Sequence, residues 1–265
     1  MSPDPRAAVR RPLAIPASGI LFEGHFPGRP ILPGVCLLDL GLRAIDPGVA
    51  APALTEIHSL RFRRLVGPGE RLQVDASGGT AIDKTTRLAV RRDAEIVAQG
   101  LVALGSPFSP IAASMGREIR PLPDVPPLDE LIPHRAPMRF VEGVEGGSME
   151  EIACSASVPA ACALAGAGSA PALAALEMAA QTAAVFEALQ RRRGGGNEGA
   201  LLGYLVGARD VRFARPRIEA GRPHTAFVRL AGLAPPLSTY RFEVGAAGEI
   251  VAAGSLSTWL TAKAV

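Results

Sequence analysis

Apolar and polar positions alternate with a period of two in windows far apart along the chain. Leu72, Val74 and Ala76 face Gln73, Asp75 and Ser77, and Tyr240, Phe242 and Val244 face Thr239, Arg241 and Glu243. That period marks strands with one buried face. Two further windows are apolar on nearly every side. One starts near Pro33 and runs Val35-Cys36-Leu37-Leu38-Asp39-Leu40-Gly41-Leu42; the other starts near Pro171 and runs to about Arg193. A helix apolar all round is a buried helix, and proline is tolerated in its first turn. The pattern therefore predicts an α+β chain in which each half pairs one buried helix with antiparallel strands.

The two halves share more than this plan. Leu60-Arg61-Phe62-Arg63-Arg64-Leu65-Val66-Gly67-Pro68-Gly69 matches Val211-Arg212-Phe213-Ala214-Arg215-Pro216-Arg217-Ile218-Glu219-Ala220-Gly221 when Phe62 is set on Phe213, with one extra residue in the second block. Between the copies, Ser106–Pro127 is rich in proline and serine and reads as a linker over the surface. The expected division is residues 1–105, a linker at 106–126, and residues 127–265.

Length and composition agree. A chain of 265 residues has room for two cores, and 48% hydrophobic against 20% charged residues is a globular balance. A net charge of +3 is too small to argue for nucleic acid. The uncharged stretch Ser155–Leu176 is broken by Pro159 and Pro171, so no membrane span and a cytoplasmic location are expected. The cysteines Cys36, Cys154 and Cys162 form no metal-like spacing and read as small buried hydrophobes. No metal or other cofactor is expected.

The chemistry concentrates at Gly24-His25-Phe26-Pro27-Gly28-Arg29-Pro30-Ile31-Leu32-Pro33-Gly34, with Asp39 fourteen residues after His25. Prolines and glycines make this loop a rigid shelf. An imidazole and a carboxylate together take a proton from one atom and give one to another. In the second copy Ala163 stands fourteen residues before Glu177, so the loop has lost its histidine there. Yet Glu177 is the only charge between Glu151 and Glu187. A carboxylate is costly inside an apolar helix unless it is used.

The His-Phe-Pro-Gly-x-Pro-x-x-Pro-Gly run with its following acid resembles the 3-hydroxyacyl-thioester dehydratases of fatty acid and polyene synthesis. Leu131-Ile132-Pro133-His134-Arg135-Ala136-Pro137 resembles their N-terminal segment, and Glu177 before Ala180-Gln181 resembles their helix. The resemblance implies a hotdog fold, here a double hotdog with two antiparallel sheets each wrapped around a long central helix, a covalent version of the family's dimer. The paired layout is similar to the two dehydratase halves of aryl-polyene pathways.

In that family each site takes its histidine from one subunit and its acid from the other. Carried over, one composite site combines His25 as base with Glu177 as acid, and the mirror position pairs Asp39 with Ala163 and lacks a base. A site closed within the first copy, His25 with Asp39, is the alternative. Gly34, at a helix N-terminus, is the candidate donor to the thioester oxygen, and Phe26 the candidate substrate contact. The implied reaction removes water from a (3R)-hydroxyacyl thioester, with no cofactor. The implied partner is acyl carrier protein, or coenzyme A in its place, and Arg61, Arg63, Arg64, Arg212 and Arg215 are the candidates to meet it. His134 reads as a loop-fixing residue, and His58 and His224 as structural or exposed. Two rival readings are a hotdog thioesterase and a catalytically silent partner that binds acyl carriers.

Overall fold

A computed structural model describes residues 9–45, 53–78, 85–105, 108–114, 119–195 and 201–262. The ends of the two expected halves (1–8 and 263–265) and parts of the expected linker (106–107 and 115–118) lie outside the described residues. In chain order the elements are β1 (Val9–Ala14), α1 (Gly34–Ile45), β2 (Leu54–Phe62), β3 (Arg71–Gly78), β4 (Thr85–Arg92) and β5 (Glu95–Leu104). Then come α2 (Leu128–Leu131), β6 (Val141–Gly147), β7 (Glu151–Ala156), β8 (Ser169–Pro171), α3 (Ala174–Arg193), β9 (Leu201–Phe213), β10 (Arg217–Glu219), β11 (His224–Ala234), β12 (Leu237–Ala246) and β13 (Glu249–Ala262).

The alternating windows fall in β3 and β12, with Leu72, Val74, Tyr240, Phe242 and Val244 all buried. The expectation of two separate sheets is corrected. Eleven strands make one antiparallel sheet in the order β1-β3-β4-β5-β2-β9-β13-β12-β11-β7-β6. The halves meet at the β2–β9 ladder, where Ile57 lies opposite Val211 and Leu60 opposite Ala208. An unpaired strand edge exposes backbone N–H and C=O groups, and joining β2 to β9 removes one such edge from each half.

The sequence repeat sits at this seam. Gly69 and Gly221, the residues that close the two repeat blocks, both have left-handed backbones, with φ of +77° and +74°. Each N–H donates to a backbone carbonyl of its own half, Gly69 to Pro16 at 3.0 Å and Gly221 to Val158 at 2.9 Å. A side chain would strain both turns.

The helices lie between the sheet and each other: α1 packs on β1 and β3, α3 on β11, β7, β12 and β13, and the two helices touch. The expectation of a long helix in each half holds only for α3, with 20 residues, since α1 has 12. Helix α3 begins later than expected, because Ser169–Pro171 is drawn into a two-stranded ladder with β10. The Arg217 guanidinium donates to the Ser169 carbonyl and hydroxyl, each at 2.8 Å, and Ala172 N–H donates to Pro216 O at 2.9 Å. Pro171 therefore ends a strand instead of opening a helix.

Ala174, Ala175, Ala179 and Ala183 of α3 are fully buried, so the sheet approaches the helix axis closely, and Leu176 and Met178 fill the remaining space. Burying one side chain of that size contributes about 1.5–3 kcal/mol. The segment between the halves crosses the second half's strands. Ile111 bridges to Ile250, and Ser114 donates from its backbone N and its hydroxyl to Glu243 Oε1, at 2.7 and 2.9 Å. All three cysteines are free and buried. Among the described residues no helix is long and apolar enough to cross a membrane.

Candidate active site

The His25 loop folds on itself before it meets anything else. His25 N donates to Phe22 O, Ile31 N to His25 O, and Phe26 and Arg29 exchange backbone hydrogen bonds around Gly28, whose φ is +75°. His25 Nδ1 lies 2.9 Å from Ile31 O. A carbonyl only accepts, so Nδ1 carries the proton and Nε2 keeps a free lone pair. Burial pushes the His25 pKa down to about 4, with the Ile31 bond as the smaller, opposing cause. The ring is a neutral base at pH 7.

The loop is then clamped by the second half. Arg135 N donates to Gly24 O at 3.0 Å. Gly24 has φ +78°, and a Cβ there would stand 2.1 Å from Arg135 O, so only glycine admits this approach. Arg135 stiffens its own loop by donating to the carbonyls of Ile132 and His134, each at 2.9 Å. The docking stacks Phe26 on His25 at 4.3 Å and sets it edge-on to His134 at 4.9 Å, with the two histidine rings 5.2 Å apart.

Glu177 enters from the first turn of α3 and is 4% exposed. Gln181, one turn on, donates from Nε2 to Glu177 Oε1 at 2.9 Å and to Met138 O at 2.7 Å. Its Oε1 accepts from Phe140 N and Val141 N at 2.8 and 3.3 Å. With every group of the amide used, its orientation is fixed. Burial pushes the Glu177 pKa up to about 7, and the Gln181 bond offsets part of this.

Imidazole nitrogens of His25 and His134 and a carboxylate oxygen of Glu177 thus lie within 4.8 Å of one another, and all three residues are buried. His25 and Glu177 come together from opposite halves. Among the described residues, these three are the donor set that could gather round a cation. His134 was expected only to fix a loop, but it also stands in the site. Its Nε2 is 3.7 Å from Glu177 Oε1, too far for a hydrogen bond, and its Nδ1 has no hydrogen-bond partner among the described residues. Burial, then the neighbouring His25 and Arg135, hold its pKa well below the usual range. The signal was the Pro-His-Arg motif itself, but docking against His25 is a tertiary event that no local pattern announces.

Asp39 is not brought to His25. It is buried on α1, its Oδ2 accepts from Arg43 Nε at 2.8 Å, and burial raises its pKa while Arg43 lowers it. It does not line the cavity that holds His25 and Glu177. Cys36 is buried on the same helix: burial, then Glu177, then Asp39 raise its thiol well above the usual range. Gly34 and Phe26 are on the cavity wall. A Cβ on Gly34 would stand 2.9 Å from the Phe62 ring, so the start of α1 is bare toward the cavity only because glycine is there. The cavity measures about 60 Å³ and extends from the three titratable groups along Ala180 and Ala184 of α3.

The candidate arginines do not all line one cavity. Arg64 lines the cavity, with its Nε 2.5 Å from Glu95 Oε1, and Arg63 beside it is exposed. Arg61 lines a separate groove with Arg87, Arg91 and Arg209. Arg212 is exposed between buried Val211 and Phe213, and Arg215 pairs with Glu249 at 2.5 Å. His58 lies 3.6 Å from Glu56, and the buried His224 contacts Arg222 O at 2.7 Å through Nδ1; neither lines the cavity.

Comparison with known proteins follows the same division. The family described as ApeI dehydratase matches residues 4–100, and the family described as ApeP dehydratase matches residues 126–264. Among curated proteins, the chain is similar to 3-hydroxyacyl-[acyl-carrier-protein] dehydratase FabZ of Syntrophotalea carbinolica. The two are 40% identical over 62 residues, which is 20% of this chain and 42% of that protein. The FabZ of Fusobacterium nucleatum is 31% identical over 101 residues, 36% of this chain and 68% of that one. The chain thus spans less than half the length of the first of these relatives. In structure it is similar to the dehydratase domain of PpsC from Mycobacterium tuberculosis, with a TM-score of 0.67 at 16% identity over 96% of this chain and 94% of that one. At that identity the likeness shows the fold alone, a dehydratase fold of the hotdog class. The ApeP match covers more than half of the sequence, and the chain belongs to the ApeP-like dehydratase family, with an ApeI-like segment preceding the ApeP-like one in a single polypeptide.

Proposed function

We propose that the chain removes water reversibly from (3R)-hydroxyacyl thioesters to give trans-2-enoyl thioesters, at one composite site per chain. The observation that carries this reading is the approach of His25 and Glu177, from opposite halves, to within 4.8 Å in one buried cavity.

His25 Nε2 takes the proton from C2, next to the thioester carbonyl. The C–H electron pair becomes the C2–C3 double bond as the C3–O bond breaks. The departing oxygen takes the proton of Glu177 and leaves as water. A carboxyl with its pKa near 7 is partly protonated at neutral pH and can supply that proton. The charge that builds on the thioester oxygen is met by the backbone N–H of Gly34, in the first turn of α1, where amides have no intrahelical acceptor. After turnover the imidazolium and the carboxylate are close enough for the proton to return through a water or the neighbouring imidazole of His134.

Residues 1–105 and 127–265 then act as two hotdog units joined through 106–126, each lending the other what it lacks. Asp39 and Ala163 mark the mirror position, which has no base. The FabZ likeness favours acyl carrier protein as the thioester carrier, with coenzyme A as the alternative, and exposed Arg63 with Arg64 at the cavity are the candidates to meet the carrier's phosphate.

The test is a spectrophotometric assay with 3-hydroxyacyl thioesters on both carriers. Enoyl absorbance that appears without free thiol supports dehydration. Release of free thiol would make the chain a thioesterase, and binding without conversion at high enzyme would make it a silent partner.

A further inference from the structure

The dehydration step takes its base from His25 and its acid from Glu177, yet the cavity wall carries a second imidazole. His134 is 6% exposed. Its Nδ1 has no hydrogen-bond partner among the described residues, and its Nε2 lies 3.7 Å from Glu177 Oε1, too far for a hydrogen bond. A buried polar atom left unpaired is costly, and a bound ion is one of its ordinary explanations.

One nitrogen of each ring and one oxygen of Glu177 lie within 4.8 Å of one another. A tetrahedral zinc ion, with nitrogen and oxygen ligands at about 2.0–2.2 Å, sets those ligands about 3.3–3.5 Å apart. The 3.7 Å between His134 Nε2 and Glu177 Oε1 is close to that spacing. The whole set has to contract by about 1.5 Å at most to reach it, a movement that small side-chain rotations supply. Two of the three ligands are already held as metal ligands usually are. His25 Nδ1 donates to Ile31 O at 2.9 Å, which leaves the lone pair on Nε2, and Gln181 Nε2 donates to Glu177 Oε1 at 2.9 Å. Such outer contacts orient an imidazole and a carboxylate toward the metal. The nearby cations are engaged elsewhere. Arg135 donates to the carbonyls of Asp129, Ile132 and His134, and Arg64 pairs with Glu95. The cavity, about 60 Å³, has room for an ion and a water as its fourth ligand. Two imidazoles favour zinc over magnesium and calcium, which take oxygen ligands.

We infer that His25, His134 and Glu177 form a binding site for a zinc ion, and that zinc shuts the catalytic site. The ion occupies the lone pair of the base and replaces the proton of the acid, which leaves to solvent. That zinc blocks the reaction rests on the dehydratase reading; that zinc binds does not.

The intact chain, stripped with a chelator, is titrated calorimetrically with zinc and, separately, with magnesium. One equivalent of zinc should bind, and magnesium should not. X-ray absorption at the zinc edge should show nitrogen and oxygen at about 2.0–2.2 Å and no sulfur at about 2.3 Å, which excludes the buried cysteines as ligands. His134→Gln and Glu177→Gln, checked for folding by circular dichroism, should each weaken zinc binding at least about tenfold. His58→Ala, outside the cavity, should leave it unchanged. In the parent chain zinc should inhibit dehydration competitively with the thioester, and EDTA should restore it. No binding, an affinity that both cavity variants leave intact, sulfur among the ligands, or one bound equivalent that does not inhibit would overturn the inference. If the metal-free chain dehydrates no thioester, the dehydratase reading fails, while calorimetry and absorption still decide whether zinc binds.

Discussion

Gln181 holds Glu177 from one helical turn away, and with the other end of the same amide it holds the entry of strand β6. Its Nε2 is 2.9 Å from the Glu177 carboxyl, and its Oε1 accepts the backbone N–H groups of Phe140 and Val141. The side chain is fully buried. Acid, helix and strand are one assembly, so the position of the acid is not free to drift. Gln181→Leu leaves two backbone donors and the Met138 carbonyl unpaired in the core. It should destabilise the chain by about 3 kcal/mol in urea unfolding, at about 1–3 kcal/mol per buried unpaired group with partial relaxation. Among the molecules that still fold, kcat should fall more than substrate affinity.

The pH profile follows from the two buried groups. The base must be neutral, and the His25 pKa is held down to about 4; the acid must be protonated, and the Glu177 pKa is held up to about 7. The kcat/KM of the free enzyme should rise as pH increases through about 4, stay level, and fall as pH increases through about 7. A profile still rising at pH 8 would show that a protonated Glu177 is not the acid.

The same burial makes Glu177 a cost to stability above neutrality. Its folded pKa, about 7, lies above the ordinary 4.5, so the folded state holds the proton more tightly. Stability is lost as pH rises from about 4.5 through about 7. Below 4.5 the carboxyl is neutral in both states and carries no penalty. Glu177→Gln keeps the shape and removes the titration. It should abolish dehydration yet gain up to about 3 kcal/mol of unfolding free energy at pH 8, at 1.36 kcal/mol per pKa unit, and gain almost nothing at pH 4. Equal stability differences at both pH values would contradict this account.

Gly34 is tested by a pair of substitutions. Gly34→Ala sets a methyl group 2.9 Å from the Phe62 ring and drives that ring toward the substrate. The overpacking costs about 1–3 kcal/mol and should lower both thermal stability and kcat/KM. Phe62→Leu in the same chain makes room. The double variant should recover much of the loss, as read from a double-mutant cycle in stability and in kcat/KM.

The sequence carried this site unevenly. The His25 loop and the lone carboxyl of Glu177 were legible because rigid-loop residues and a charge in an apolar helix are local signals. The repeat also showed, because Gly69 and Gly221 occupy the same left-handed turn in both halves. The single sheet was not legible: the β2–β9 ladder pairs residues some 150 positions apart, and no pattern within either strand announces its partner. The start of α3 was misplaced because a proline before a helix and a proline ending a short strand look alike until the partner strand β10 is seen. The place of His134 beside His25 and Glu177 depends on the docking of the two halves, and a sequence does not record that.

The central claim is that one site is shared between the halves. It is tested most directly by steady-state dehydration rates of His25→Ala, Glu177→Gln and Asp39→Asn beside the parent chain, with folding checked by circular dichroism. The account predicts that the first two each lose about 10²–10⁴ in kcat, while Asp39→Asn stays within a few-fold of the parent. Loss of activity in Asp39→Asn with full activity in Glu177→Gln would contradict it.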